Sequence, residues 1–136
     1  MSELDLQKLS APIEALKPEV INAYKAIDST WESVGRKLSD LTIPCDVKYC
    51  YSENPVYDGQ HYCLEWRKYK GKKRFCDVYY SLVHDEYGID EAERVTPYDE
   101  WSAEERLKML EYVPSLFAEA EKSVKAFIAK ATGGVE

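Results

Sequence analysis

The sequence predicts an α+β domain with a long N-terminal helix, an antiparallel meander of three or four strands, and a long kinked C-terminal helix. The two helices are expected to pack on each other and on one face of the sheet. Three observations carry this. Apolar residues recur every third or fourth position over residues 9–41, they alternate with polar ones over residues 45–83, and helical spacing returns after a capping signal at Ser102.

The first stripe comprises Leu9, Ile13, Leu16, Val20, Tyr24, Ile27, Trp31, Val34, Leu38 and Leu41, which lie along one side of a helix. Ser10 and Pro12 suit a helix start, because proline is tolerated in the first turn. Pro18 then demands either a break near Lys17 with a new start, or a kink. Thr42-Ile43-Pro44 ends the helix.

In residues 45–51, Val47, Tyr49 and Tyr51 alternate with Asp46, Lys48 and Cys50, the period of a half-buried strand. Asn54-Pro55 and Asp58-Gly59 mark the connection to residues 61–69. There Tyr62, Leu64 and Trp66 share one face, and His61, Cys63, Glu65, Arg67 and Tyr69 share the other. A turn around Lys70-Gly71-Lys72 leads to a third strand over 74–83. Its inward set is expected to be Cys76, Val78, Tyr80 and Leu82, with Phe75, Asp77 and Tyr79 outside. The meander ends with this third strand or with a short fourth around Arg94-Val95-Thr96, after a stretch rich in acids and turn formers. Ser102 and Glu105 form a capping box. Leu107, Leu110, Val113, Phe117, Ala120, Val124, Phe127 and Ala131 continue the second stripe, with a kink near Leu110 imposed by Pro114. Gly133-Gly134 ends it.

Both helical stripes are longer than the strands they accompany. Coiled-coil-like pairing of the helices, or a second copy in a homodimer, is expected to cover the overhang. The 136 residues, 45% hydrophobic and 32% charged, form one domain over 1–136 with short tails at 1–8 and 132–136. The layout resembles small uncharacterised bacterial and phage helix–meander–helix proteins, through the Trp66 strand and Ser102-Ala103-Glu104-Glu105-Arg106-Leu107. The resemblance spans most of the chain and implies no activity or catalytic residue.

The N-terminus has neither the basic start nor the apolar run of a signal peptide, and no stretch approaches the ~20 apolar residues of a membrane span. Four cysteines in a chain of this class read as reduced thiols of a cytoplasmic protein. They offer no Cys-x-x-Cys. Aligning the apolar faces of the first hairpin sets Tyr49 against Leu64 and Val47 against Trp66, and so Cys50 across from Cys63 with His61 two residues away. That patch admits a reversible disulfide or three soft metal ligands, although a closed zinc site wants four; inert semi-buried thiols are the bland alternative. Neither redox nor metal chemistry leads, and no cofactor or metal is assigned.

Catalytic residues are not assigned either. His84-Asp85-Glu86 has the composition of a base and its orienting acid, but neighbouring strand residues face opposite ways. No nucleophile elbow or phosphate-cradling glycine loop is present.

The net charge of −7 disfavours a general nucleic-acid coat. Yet residues 67–74 hold six of the 18 basic groups, and without them 12 basic groups face 25 acidic ones, a net −13. Cations interleaved with aromatics mark Arg67, Lys68, Tyr69, Lys70, Lys72, Lys73, Arg74, Phe75 and Tyr79 as candidate binding residues. Tyr is also over-represented, with 11 in the chain, a residue suited to half-buried contact faces. The leading expectation is a non-enzymatic binding or regulatory protein that engages a protein partner through the outer sheet face and this hairpin. A nucleic-acid accessory role for the hairpin is the alternative, and solvation or internal charge balance is the bland reading.

Overall fold

The computed structural model describes residues 4–53 and 60–133, without the side chains of 53, 83–85 and 89–92. The chain runs through α1 (Leu6–Glu14), α2 (Lys17–Asp40), β1 (Val47–Glu53), β2 (His61–Tyr69), β3 (Lys72–Asp85) and β4 (Gly88–Pro97). A 3₁₀ turn (Tyr98–Glu100) precedes α3 (Ala103–Met109), a second 3₁₀ turn (Leu110–Tyr112) and α4 (Val113–Ala131). The fold is α+β. Two helix starts fall where proline favours them, but Pro12, expected at a helix start, lies inside α1, which is capped by Asp5 instead. Pro18 sits in the first turn of α2, and Pro114 in the first turn of α4, after the 3₁₀ turn that interrupts the C-terminal helix. Ser102 caps α3 reciprocally with Glu105, as expected. α1 begins at Leu6, inside the segment expected to be a tail. The expected turn at 54–59 and Gly134 lie outside the described residues.

The sheet is a four-stranded antiparallel meander in the order β1-β2-β3-β4. Val47 pairs with Trp66, Tyr49 with Leu64 and Cys50 with Cys63, as facial alignment requires, and a bulge follows before Ser52. β4 is longer than the short strand expected around Val95. Its ten residues pair with β3 from Cys76 to Asp85. As an edge strand it carries charges that keep it soluble, and these disguise it as a loop in the sequence.

The faces of β3 are the reverse of the expectation. The two-residue loop Lys70-Gly71 pairs Tyr69 with Lys72, which sets Phe75 opposite Trp66, Asp77 opposite Leu64 and Tyr79 opposite Tyr62. Directly opposed residues share a face, so Phe75, Asp77 and Tyr79 point toward the helices. Cys76, Val78 and Tyr80 point away. Both faces of this strand carry large apolar groups, so alternation alone left its phase open.

The main core gathers Trp31, Leu38, Val47, Leu64, Trp66, Phe75, Trp101, Met109, Leu116 and Ala120. Trp31 is its hub. Only 2% exposed, its ring meets Phe75 at 4.8 Å and Trp101 at 5.5 Å, and its Nε1–H donates to the Arg106 carbonyl at 2.8 Å. Gly35, one turn on, lets α2 approach the sheet; a Cβ there would stand 3.2 Å from the Phe75 ring. On the C-terminal side Met109, Leu116 and Ala120 are buried while Leu107 is exposed. The 3₁₀ turn rotates the chain more per residue than an α-helix, so a stripe drawn straight through it loses phase. A second cluster of Cys63, Cys76, Val78 and Tyr80 lies on the other face of the sheet.

Covering stops halfway along α2. Leu9 (60% exposed), Ile13 (71%), Leu16, Val20, Ile21 and Tyr24 continue the stripe that buries Trp31 and Leu38, yet face solvent, and α1 buries no residue. Phe127 and Ile128 near the end of α4 are also exposed. Among the described residues no helix is long and apolar enough to cross a membrane.

Candidate functional site

The basic hairpin forms because Lys70 and Gly71 both take positive φ, 52° and 91°, the backbone of a tight two-residue loop whose twist matches the strands it joins. Only glycine adopts such a φ freely, so Gly71 secures the tip. The side chains around it divide into two groups. Arg67 is mostly buried on the outer face and bridges Glu65 and Glu93, each at 3.3 Å. Burial opposes its charge, but the two carboxylates outweigh that and hold its pKa above the ordinary value. Lys73 Nζ donates to Asp46 Oδ1 at 2.7 Å and to the Cys45 carbonyl at 3.0 Å. Arg74 Nε donates to the Tyr69 carbonyl at 3.0 Å. Partial burial pushes the Asp46 carboxyl up, but Lys73, the Lys68 amide and the Arg67 charge prevail and hold it below its usual range. Lys68, Lys70 and Lys72 are the exposed cations of the hairpin, with Lys70 5.4 Å from the centre of the Tyr69 ring.

The nine candidate binding residues therefore do not form one surface. Phe75, expected on the outer face as a candidate binding residue, is 6% exposed and closed under Trp31 and Trp66. Tyr79 lies on the helix-facing side, with its ring 4.7 Å from that of Tyr62 and 5.4 Å from the Arg94 guanidinium. Tyr69 packs against the outer cluster. Part of the hairpin's charge is balanced internally, through Glu65, Glu93 and Asp46.

Between the hairpin and α2 lies a groove of about 680 Å³ floored by Trp31, Gly35, Trp66 and Phe75. Asp28, Glu32 and Asp99 stand in its walls together with Lys72, Lys73 and Arg74. Asp28 also ties α2 to the segment before α3. It accepts from the Tyr98 hydroxyl and from Arg106 Nη1 at 3.0 Å, and the Arg106 guanidinium stacks 4.3 Å from the Tyr98 ring centre.

Two carboxyls in the sheet escaped the sequence reading. Glu65 is 4% exposed. Burial raises its pKa, against the opposing pull of the Tyr80 hydroxyl it accepts from and of Arg67 and Lys48. Asp77 accepts from the Tyr51 hydroxyl at 2.6 Å, and its pKa is likewise raised by burial, with the Glu105 charge adding to it. Glu65 occupies an outward position in an alternating strand, where a carboxylate is ordinarily solvated, so no sequence signal marked it. Burial arises because Tyr80, Arg67 and Glu93 close over it.

The outer face also carries the cysteine pair. Cys50 and Cys63 are bridged, whereas Cys45 and Cys76 are free. The expectation of four reduced thiols is corrected accordingly. The register that opposed the two residues was legible, but alternation could not show that their side chains would close on each other. Ligand atoms of Cys50, His61 and Cys63 all lie within 4.8 Å of one another, and the His61 ring stacks on Tyr80 at 5.0 Å between centres. The side chains of His84 and Asp85 lie outside the described residues.

No known protein family, curated protein or solved structure matches the chain.

Proposed function

We propose that this is a small non-enzymatic protein-binding protein that works as a homodimer, joined through α1 and the first half of α2. The observation that carries the reading is an apolar helical arm that none of the described residues covers. A nine-residue helix with a proline inside it and no buried side chain lacks the means to hold itself, since isolated helices shorter than about 12–15 residues are marginal in water and interior proline opposes them further.

A second copy fits this surface in size and charge. Leu4, Leu6, Leu9, Ile13, Leu16, Val20, Ile21 and Tyr24 are all at least 42% exposed. Together they offer on the order of 800 Å², what each partner contributes to a standard protein interface. Residues 4–28 hold four acids and three lysines, so this strip is nearly neutral in a chain of net −7. Two copies meet there without the repulsion that the rest of the surface would impose.

Sedimentation velocity over a concentration series tests the reading. The native chain should sediment as a dimer that dissociates on dilution. The double variant Leu9→Asp and Ile13→Asp, at sites that touch no core, should be monomeric with unchanged near-UV circular dichroism. A native chain monomeric at every concentration overturns the reading.

A second reading follows from Lys68, Lys70 and Lys72, which remain exposed while Arg67 and Lys73 are tied down. These three form the contact for an acidic protein surface. Replacing them with Gln should abolish salt-sensitive retention on an acidic polypeptide such as polyglutamate and leave the fold intact. Unchanged retention assigns them to solvation alone.

A further inference from the structure

The geometry points to a second, independent site: Cys50, Cys63 and His61 form a redox-gated binding site for zinc(II), closed while the thiols are bridged and opened by their reduction. The three residues are held by the sheet itself. Cys50 and Cys63 are direct cross-strand partners, and His61 lies two residues before Cys63 on the same face. Their ligand atoms fall within 4.8 Å of one another. Two ligands on one tetrahedral zinc stand about 3.3–3.8 Å apart, given bonds of about 2.3 Å to sulfur and about 2.0 Å to nitrogen. Release of the bridge lets the sulfurs separate to that distance without moving either strand out of register. The Tyr80 ring stacked on His61 restricts the imidazole plane, the kind of orienting contact that tunes a metal ligand.

Cys63 is fully buried, whereas Cys50 and His61 are half-exposed. The ion is therefore reached from one side, where water supplies the fourth position. Cys76 is close in the same cluster but not among the three.

Opening needs two equivalents of a small-molecule thiol. The thiolate of the first attacks one sulfur of the bridge, the Cys50–Cys63 bond breaks, and a mixed disulfide forms. The second thiolate attacks that mixed disulfide, and the small-molecule disulfide leaves with the oxidised sulfurs. Cys50 and Cys63 thereby gain the two electrons that the small-molecule thiols give up, and take up two protons. Zinc then displaces those protons and takes a ring-nitrogen lone pair of His61.

The test compares one chain in two states. Air-oxidised protein should expose two alkylatable thiols after denaturation, and protein reduced with a small thiol and desalted anaerobically should expose four. Calorimetric titration with zinc chloride should show one ion per reduced chain and at least a hundredfold weaker binding to the oxidised chain. His61→Ala should weaken binding to the reduced chain at least tenfold. Cobalt(II) in place of zinc should give a thiolate charge-transfer band that is weakened in Cys50→Ser and lost when Cys63 is replaced by Ser as well. Four thiols in the air-oxidised protein overturn the gate. Equal zinc affinity in the two states, or binding unaffected by His61→Ala, overturns the site.

Discussion

Trp31 is the residue on which the helices and sheet converge, and replacing it with Phe separates two of its contributions. Phenylalanine keeps an aromatic ring against Phe75 and Trp101 but lacks the Nε1–H that satisfies the Arg106 carbonyl. Stranding that acceptor should destabilise the protein by about 1 kcal/mol. The smaller ring leaves a void of about 40 Å³, which at about 24 cal/mol per Å³ adds about 1 kcal/mol. Trp31→Phe should therefore lose about 2 kcal/mol, and Trp31→Ala about 4 kcal/mol, near the middle of the range for deleting a buried aromatic. Urea unfolding at fixed protein concentration measures this directly, because the proposed pairing of two copies would make the midpoint depend on concentration. With a slope of about 2 kcal/mol per molar, the Phe variant's midpoint should fall by about 1 M with the slope unchanged. A fall below about 0.2 M, or a Phe variant as weak as the Ala variant, would refute the account of Trp31 as a packed and hydrogen-bonded hub.

Two further predictions concern the second helical layer and the sheet. Ser102→Ala removes the hydroxyl that accepts from the Glu105 amide at 3.2 Å and should lower stability by about 1 kcal/mol in urea titrations, with no change in oligomeric state. Glu65→Gln should alter the pH dependence of thermal unfolding. Burial raises the native carboxyl above its ordinary 4.5, so the folded chain holds that proton more tightly than the unfolded one. The stability Glu65 contributes is then full below pH 4.5 and lost as pH rises through the raised native value. The difference between native and variant melting temperatures should drift downward across that window; parallel curves, or an upward drift, would contradict the burial account.

Much of the fold was legible because single residues dictate backbone outcomes. Pro18 marked a break or kink near Lys17 and Pro114 a kink near Leu110, and a new helix starts at each; Ser102 with Glu105 placed the start of α3. The alternation of Val47, Tyr49, Leu64 and Trp66 set a register that put Cys50 against Cys63. The errors have equally local causes. β3 is apolar on both faces, so its phase was decided by the loop at Lys70-Gly71 rather than by pattern, and Phe75 moved from candidate contact to core. The straight stripe through Leu107 failed because the 3₁₀ turn at Leu110–Tyr112 re-phases the helix. Charge near the hairpin was visible, but not its partners: Asp46 and Glu93 lie far from Lys73 and Arg67 in sequence, and only the folded sheet brings them together. The overhang of the helical stripes was also foreseen in the sequence. Its location, on α1 and the first half of α2, required the structure.

Hydrogen exchange across α1 and the first half of α2, followed by mass spectrometry over a dilution series, tests pairing through this arm most directly. Amides of residues 6–26 should be protected at high concentration and lose that protection together as the protein is diluted, while those of β2 and β3 stay protected throughout. Arm amides that exchange at one rate across the whole series would contradict the account.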